Sequence, residues 1–297
     1  MKSTESRLLV NPDLTRREYI TVTPESAAWE HLSFTAVRLA KGEEWQFDTG
    51  ENELAMTILG GTLDVTSNKG EWKAIGSRVD VFHGMPTTLY LSRHTKFTVT
   101  ASYGDANFAC GWAAATKDYP ARLIRPEEVS VELRGGDNAS RQINQMILPG
   151  FECERLVVVE VYTPSGNWSS YPPHKHDTRK LDADGSVLEA DLEEVYFYKV
   201  DKPEGYAYQR CYTEDGRIDE LMLVQNDQLV LSPEGYHPVV AAQGYNVYYL
   251  NYLAGTDQSL TSTDDPRYAW VKNTWKGLDP RLPIVDLSMN SNQGDKK

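Results

Sequence analysis

The chain is a series of short runs of β-branched and aromatic residues, and helical periodicity is scarce in its 297 residues. Gly, Pro, Asn and Asp separate the runs, which is typical of strands in a sandwich or barrel. In the first half we expect strands at residues 34–39, 54–59, 62–66, 79–82, 88–91 and 97–101. A second series is expected at residues 156–162, 194–200, 206–212, 220–224, 228–231 and 247–253. The pattern predicts an all-β protein.

Two copies of one barrel fit the length and the two series of expected strands. Glu53 and Glu194 each open such a strand, which is a faint sign of an internal repeat. Residues 119–148 lie between the two series and contain several Pro and Gly, so we interpret them as a connection without a core strand. The expected organisation is as follows: a first barrel at 1–118, a connecting segment at 119–150, a second barrel at 151–287 and a polar tail at 288–297.

Charge and composition limit the class of function. The net charge of −13 argues against nucleic-acid binding, because neutralising phosphates requires clustered Lys and Arg. The apolar runs are too short for a membrane helix, and the first 20 residues lack the apolar region of a secretory signal. Three widely spaced cysteines argue against a disulfide framework. We expect a cytoplasmic protein that binds neither nucleic acid nor membrane.

The residues with the clearest chemistry lie in the second half of the chain. His174 and His176 are two positions apart, so in an extended segment their side chains share one face, about 6.5–7 Å apart. Neutral imidazole offers a nitrogen lone pair near pH 7, and two imidazoles at this spacing can converge on one metal ion. Lys175, between them, is expected to point away from the metal.

Two later segments offer further ligands. The expected strand LEEVYFYKV begins with Glu193 and Glu194, which face opposite sides, and alternation by itself does not decide which of them faces the metal. In SPEGYHP, Pro and Gly predict a tight turn that presents His237 at the start of a strand. The remaining histidines have no partner pattern and are expected to be structural: His31, His83 and His94.

His-x-His, a later Glu and Pro-x-Gly-x-His together resemble the metal site of the cupins, a jelly-roll fold also called the double-stranded β-helix. In cupins three His and one Glu hold a divalent metal, and the Glu opens a strand before an aromatic-aliphatic run, as Glu194 does. The resemblance implies the ligands His174, His176, Glu194 and His237. It also implies two tandem cupin barrels, a bicupin, whose first barrel has no His-x-His and no metal site. Zn²⁺, Mn²⁺ and Fe²⁺ are each compatible with such ligands.

The similarity is closer to one cupin family, the 5-deoxy-glucuronate isomerases of myo-inositol catabolism. Seventeen residues separate His176 from Glu194, more than in the general cupin motif, and this isomerase family has a long loop there. The resemblance is carried by GNWSSYPPHKHD (166–177), LEEVYFYKV (192–200), GYAYQRCYT (205–213), GYHPVVAAQGYNVYYLNYLAG (235–255), FTAVRLAKGE (34–43), PARLI (120–124) and RGGDNASRQI (134–143).

The resemblance implies an aldose–ketose isomerase that converts 5-deoxy-D-glucuronate to 5-dehydro-2-deoxy-D-gluconate. A proton leaves C2 and one arrives at C1 through an enediol(ate), whose developing negative charge a divalent ion can stabilise. Tyr196 and Tyr198, on the face of Glu194, are the candidates for proton transfer. An arginine fork suits the carboxylate of the anionic sugar substrate. The candidates for that fork are Arg210, Arg155 and Arg179.

Three other functions stay open from the sequence. They are isomerisation of a pectin-derived keto-uronate, a metal-dependent dioxygenase reaction and non-catalytic sugar binding. Oxygen consumption identifies the dioxygenase, and sugar binding without turnover identifies the last. Exposed jelly-roll faces commonly pair, so we also expect a homo-oligomer.

Overall fold

The computed structural model describes residues 6–290, and their regular secondary structure consists mostly of strands. The strands of the first half are β1 (Leu9–Val10), β2 (Glu18–Val22), β3 (Ser33–Leu39), β4 (Glu44–Asp48), β5 (Asn52–Gly60), β6 (Leu63–Ser67), β7 (Gly70–Ile75), β8 (Thr87–Leu91), β9 (Lys96–Thr100), β10 (Ala106–Ala114) and β11 (Arg122–Ile124). One α-helical turn, α1 (Pro24–Ala27), lies between β2 and β3. The all-β expectation is confirmed.

The second half continues the series. Its strands are β12 (Ser130–Arg134), β13 (Arg141–Ile147), β14 (Val157–Thr163), β15 (Trp168–Ser169), β16 (His174–Lys175), β17 (Asp177–Leu181), β18 (Val187–Val200), β19 (Ala207–Tyr212), β20 (Asp219–Val224), β21 (Leu229–Ser232), β22 (Val239–Ala241), β23 (Val247–Gly255) and β24 (Thr263–Asp264). Short 3₁₀ turns occur at Pro126–Glu128, Asp137–Ala139, Ala269–Thr274 and Leu287–Met289.

Each half is a sandwich of two antiparallel sheets. In the first sandwich, the sheet β11-β8-β5-β10-β3-β2 faces the sheet β4-β9-β6-β7. In the second, the sheet β1-β21-β18-β23-β14-β13-β12 faces the sheet β15-β22-β19-β20, and β16 pairs with β24. Strand β1 crosses from the first half of the chain to pair with β21, so the two sandwiches are joined at their edges as well as by the chain.

The two large sheets pack against each other, which buries their strands on both faces. In β5, Leu54 and Met56 point into the first sandwich, whereas Ala55 faces the second. Tyr252 of β23 reaches across and donates a hydrogen bond to Thr57 Oγ1 at 2.9 Å. A glycine is required opposite it, because a Cβ at Gly111 would lie 2.2 Å from the Tyr252 ring. Because strands at this interface are buried on both faces, their sequences are continuous apolar runs without alternating polar residues.

Two buried carboxylates join the sandwiches reciprocally. Glu193 of β18 accepts hydrogen bonds from the backbone N–H groups of residues 30–32, just before β3. Glu53 of β5 accepts from the N–H groups of residues 154–156, just before β14, at 2.7–3.0 Å. Each carboxylate therefore satisfies a row of backbone donors in the other half of the molecule.

This symmetry corrects the apparent repeat in the sequence. Glu53 corresponds to Glu193, not to Glu194, because both accept the N–H groups of the equivalent segment in the opposite sandwich. The position that follows is Leu54 in the first sandwich and Glu194 in the second. The interior of the first sandwich is accordingly filled by apolar side chains at this point.

Removing one of these carboxylates is expected to weaken the docking of the two halves. In Glu193→Ala, the N–H groups of residues 30–32 lose their buried acceptor, and we expect a loss of about 2–3 kcal/mol in the free energy of unfolding. Urea denaturation measures this loss. Glu25→Ala, an exposed carboxylate on α1, is the control and is expected to change stability by less than about 0.5 kcal/mol. Equal effects of the two variants would contradict the reciprocal arrangement.

Two of the expectations about strands are wrong. Residues 79–82 form a turn, because the Asp80 carboxylate accepts the N–H of Phe82 at 2.8 Å and holds the chain in a tight bend. The segment 119–150 contributes strands to both large sheets: β11 pairs with β8, and β12 and β13 extend the sheet of the second sandwich. The chain between the sandwiches is therefore much shorter than the expected connection.

The end of the described chain is also more ordered than the expected polar tail at 288–297. Asn290 accepts the N–H of Met85 at 2.8 Å and donates to the Met85 carbonyl at 3.0 Å, which attaches it to the first sandwich. Residues 291–297 lie outside the described residues. Among the helices of residues 6–290, none is long and apolar enough to cross a membrane.

Candidate metal centre

A cavity of about 360 Å³ opens inside the second sandwich and is lined by three of the four predicted metal ligands, His174, His176 and Glu194. Its floor is the inward face of β18 and β23, and the segment before β16 forms one wall. A larger cavity of about 760 Å³ lies between the two sandwiches around Arg78 and Lys199, and none of the predicted ligands lines it. Histidine and carboxylate chemistry therefore singles out the smaller cavity.

Three buried side chains converge there. Ligand atoms of His176, Glu194 and His237 lie within 4.8 Å of one another, although they come from three separate strands and turns. The Glu194 Oε2 atom is 3.0 Å from His176 Nε2 and 3.4 Å from His237 Nε2. His174 stands beside this group, with its ring centroid 5.0 Å from that of His237. His176, Glu194 and His237 can therefore hold a metal ion, and His174 lies beside them.

Alternation along β18 decides which glutamate belongs to this cluster. Glu194, Tyr196 and Tyr198 point into the second sandwich, while Glu193 points the other way to the interface. Strand β18 pairs with both β21 and β23, so its register is held from two sides. A shift of one residue would exchange the two glutamates between the cavity and the interface.

The backbone orients the imidazoles for metal binding. His237 Nδ1 bonds the Gly235 carbonyl at 2.9 Å, and His176 Nδ1 bonds the Leu192 carbonyl at 3.1 Å. These contacts place the proton on Nδ1 and leave the Nε2 lone pair directed at the cluster. His237 Nε2 is buried and has no hydrogen-bond partner among residues 6–290. A buried acceptor left unpaired beside a carboxylate fits a metal ligand.

The electrostatic setting keeps two of the imidazoles neutral. Burial, followed by the neighbouring charges of His176 and Arg141, lowers the pKa of His174 to about 3. Burial likewise lowers the pKa of His237 to about 3, against the opposing effect of Glu194. A neutral imidazole is the form that donates its lone pair to a metal, so the pocket selects the binding-competent state at neutral pH.

A second layer of contacts holds the ligand segments together. Lys175 points away from the cluster, as expected, and pairs with Asp177 at 2.5 Å and with buried Glu189 at 2.8 Å. The other oxygen of Asp177 accepts the N–H of Gly235 at 2.7 Å. Asp177 therefore ties the His-x-His strand to the turn that presents His237.

The two predicted tyrosines have different environments. Tyr196 lines the cavity, and its hydroxyl lies 3.2 Å from Ser170 Oγ, which in turn lies 3.3 Å from the hydroxyl of Tyr249. Tyr198 lies deeper and donates to Gln209 Oε1 at 2.8 Å. Burial, and then the charge of Glu194, raises the pKa of Tyr196 well above its ordinary value. Tyr196 is therefore a neutral hydroxyl at the cavity wall.

The three arginines that the sequence suggested for the substrate carboxylate lie elsewhere. Arg210 pairs with Asp219, Arg179 pairs with Asp257, and Arg155 donates to the Gly255 carbonyl at 2.6 Å. None of the three lines the cavity. The guanidinium groups that do line it belong to Arg134 and Arg141. Both come from the segment that was interpreted as a connection.

Comparison with known proteins assigns the family. The model of the KduI/IolB family matches residues 8–271, which is most of the chain. The chain belongs to the KduI/IolB family. Its similarity to one relative, a 5-deoxy-glucuronate isomerase of Geobacillus kaustophilus, is 40% identity over 269 residues, covering 90% of this chain and 95% of that protein.

Solved structures agree with this KduI/IolB assignment. An IolB-like protein from Salmonella typhimurium is 34% identical, with a TM-score of 0.85, covering 90% of this chain and 99% of the other. A variant of oxalate decarboxylase from Bacillus subtilis is 11% identical, with a TM-score of 0.60 over 88% of this chain and 80% of the other. The second likeness supports the fold alone, and the expected cupin jelly roll is confirmed.

In this KduI/IolB protein, Asp177 is expected to raise metal affinity by holding the ligand segments in position, without contacting the metal. Asp177→Ala removes the link between the His-x-His strand and the His237 turn, and metal affinity should fall by about 10- to 100-fold. Competition with a chromophoric chelator measures the affinity. Asp184→Ala, in the exposed turn between β17 and β18, is the matched control and should leave the affinity unchanged. Unchanged affinity in Asp177→Ala would show that the turn holds its position without the carboxylate.

Proposed function

We propose that this protein is an aldose–ketose isomerase that converts 5-deoxy-D-glucuronate to 5-dehydro-2-deoxy-D-gluconate in myo-inositol catabolism. The observation that carries the proposal is the convergence of His176, Glu194 and His237 at a cavity, in a chain similar over nearly its full length to proteins with that activity. Such a cluster suits a reaction that develops negative charge on sugar oxygens.

The proposed ligand set is His174, His176, Glu194 and His237, as the cupin resemblance implied. A divalent ion at this position would supply Lewis acidity to the oxygens on C1 and C2 of the sugar. Imidazole nitrogens with one carboxylate are compatible with Zn²⁺, Mn²⁺ or Fe²⁺. The Nδ1 contacts to backbone carbonyls give His176 and His237 one fixed orientation, so little reorganisation accompanies binding.

Tyr196 is the proposed hydrogen-bond donor to the reacting end of the substrate. Its hydroxyl stays protonated at neutral pH because burial raises its pKa, and it reaches the cavity beside Glu194. Ser170 and Tyr249 continue the row of hydroxyls, which can hold a proton close to the cavity wall. Tyr198 is a weaker candidate for this role, since its hydroxyl is engaged by Gln209.

Apolar side chains complete the cavity. Val159 and Val161 come from β14, Leu253 comes from β23, and Trp275 comes from the segment that follows the last strand. These side chains give part of the cavity an apolar lining, which a bound sugar would help to close off from water. Exclusion of water strengthens the electrostatic interactions available to a bound sugar acid.

The proposal is tested by comparing substrates on the purified, metal-loaded protein. We expect turnover of 5-deoxy-D-glucuronate with a kcat/KM well above that for a pectin-derived keto-uronate, and no oxygen consumption. A preference for the keto-uronate would transfer the assignment to the other isomerisation. Oxygen uptake that tracks substrate loss would identify a dioxygenase, and binding without turnover of either sugar would identify a non-catalytic protein.

Location and assembly stay predictions. Cys110, Cys153 and Cys211 are buried and unpaired, which supports the proposal of a reducing, cytoplasmic setting. A homo-oligomer is still expected, and sedimentation of the purified protein measures its state.

A further inference from the structure

One guanidinium in the cavity has no charged partner. Arg141, the first residue of β13, is only 6% exposed. Its Nη1 donates to two backbone carbonyls, that of Ala139 at 3.2 Å and that of Tyr171 at 3.1 Å. Within residues 6–290, Arg141 forms no ion pair with a carboxylate. A buried cation with only neutral acceptors is unusual, because desolvation of the charge is not offset by an opposite one.

Glu132, a carboxylate whose charge acts on Arg141, is paired with another arginine. Glu132 accepts both Nε and Nη2 of Arg134 at 2.7 Å, and it also accepts Gln145 Nε2 at 2.9 Å. That exposed pair is complete without Arg141. The Nε and Nη2 donors of Arg141 make no hydrogen bond to the described residues. Neither atom is among the fully buried polar atoms that lack a partner. These donors are left accessible on a residue that lines the cavity.

Arg141 shares this cavity with the metal-ligand cluster. The Tyr171 carbonyl that it holds lies three residues before His174, and Tyr196 and Tyr249 line the floor of the same cavity. The cavity thus presents a cluster of three imidazoles and one carboxylate together with an unpaired guanidinium. A ligand that satisfies both must carry oxygens for a Lewis acid and, elsewhere in the molecule, an anionic group.

We propose that Arg141 binds the carboxylate of the sugar acid and thereby directs its aldehyde end to the cluster formed by His176, Glu194 and His237. This inference rests on the proposed function and adds the residue that makes the site selective for uronates over neutral sugars. The free Nε and Nη2 edge is the geometry that accepts a carboxylate with two parallel hydrogen bonds. Burial lowers the pKa of Arg141, because the buried guanidinium is poorly solvated. A carboxylate therefore interacts more strongly with this cation than with one exposed to solvent.

A purely structural role makes a different prediction. If Arg141 only holds the carbonyls of Ala139 and Tyr171, its removal disturbs the cavity for every substrate alike. If it binds the carboxylate, its removal affects a uronate and spares the matching neutral sugar. The two roles are therefore separated by substrate choice and not by loss of activity alone.

The experiment compares Arg141→Met and Arg141→Lys with the parent protein, each loaded with metal and checked for metal content. Steady-state kinetics use 5-deoxy-D-glucuronate and its neutral counterpart 5-deoxy-D-glucose. In Arg141→Met we expect KM for the uronate to rise by about 10- to 100-fold, with a smaller change in kcat and no change in kcat/KM for the neutral sugar. Arg141→Lys keeps the charge without the fork and is expected to recover part of the loss.

The control is Arg93→Met, which removes another largely buried guanidinium, in the first sandwich, that bonds Glu51 and the Ala115 carbonyl. It should leave both kinetic constants unchanged. Titration calorimetry with D-glucuronate supplies a readout that needs no turnover: parent protein binds it, and Arg141→Met binds it about 10- to 100-fold more weakly. This second readout applies even if 5-deoxy-D-glucuronate is not converted.

The outcomes separate the two claims. Equal losses for the uronate and the neutral sugar, or equal affinity of parent and variant for D-glucuronate, would overturn the role of Arg141. Failure of the parent protein to convert 5-deoxy-D-glucuronate, with binding of D-glucuronate that depends on Arg141, would overturn the proposed reaction and support the carboxylate site.

Discussion

His237→Ala is expected to release the metal and to lower kcat/KM by at least about 1,000-fold. The side chain is 1% exposed, and its unpartnered Nε2 faces Glu194. Without it, the cluster keeps two imidazoles and one carboxylate, which we expect to bind the metal too weakly to retain it. The reaction then loses a Lewis acid that lowers the free energy of the charged transition state by several kcal/mol. Elemental analysis of the purified variant and steady-state kinetics measure the two effects.

His83→Ala is the control for this loss. His83 is exposed, bonds Asp80 in the first sandwich at 2.7 Å and does not line the cavity. We expect unchanged metal content and unchanged kcat/KM. Full metal content together with full activity in His237→Ala would contradict the assignment of this histidine.

Glu160→Gln is expected to cause the largest loss of stability, about 3–5 kcal/mol in the free energy of unfolding. Glu160 is fully buried between the two sandwiches and accepts both terminal nitrogens of Arg78 at 3.0 Å. Its other donors are Asn144, Tyr162 and Tyr248, at 2.9–3.0 Å. The substitution leaves the Arg78 cation buried without an opposite charge.

Urea denaturation of the metal-loaded protein measures this loss. Glu43→Gln provides the matched control, because Glu43 forms an exposed ion pair with Arg17 at 3.1 Å and should contribute less than about 1 kcal/mol. Similar urea midpoints for Glu160→Gln and Glu43→Gln would show that the negative charge of Glu160 does not stabilise the fold beyond what a neutral amide does.

Part of the candidate metal centre is predictable from the sequence because the geometry within each ligand segment is local. His174 and His176 are fixed by alternation, and the turn before His237 is set by Pro and Gly. The choice between Glu193 and Glu194 is different, since it depends on which face of β18 meets the cavity. Only the pairing of β18 with its neighbours, or resemblance to a family, decides that choice.

The residue proposed to bind the substrate carboxylate could not be located in the same way. Arg141 lies in a segment with Gly-Gly and Asp-Asn, and these turn signals obscured the period-2 pattern of RQINQMI that forms β13. Arg155, Arg179 and Arg210 lie near the motif in sequence, but their side chains meet other partners. Which arginine reaches a cavity depends on long-range packing, which residue type and spacing do not reveal.

The strands missed by the sequence have a similar explanation. Strand β10, ANFACGWAA, is rich in Ala and Gly, which have low intrinsic preference for strands. It lies at the centre of its sheet between β3 and β5, where small residues allow the second sandwich to approach closely. Gly111, against the Tyr252 ring, is the clearest case. Tertiary packing, and not local preference, makes this segment a strand.

The central claim is that this metal centre isomerises 5-deoxy-D-glucuronate by proton transfer. An NMR time course in deuterated buffer without oxygen tests it most directly, with metal-loaded and chelator-treated samples run in parallel. We predict conversion to the 2-deoxy ketose with uptake of solvent deuterium, and no conversion after chelation. An unchanged spectrum from the folded, metal-loaded protein, or equal conversion after complete removal of the metal, would contradict the account.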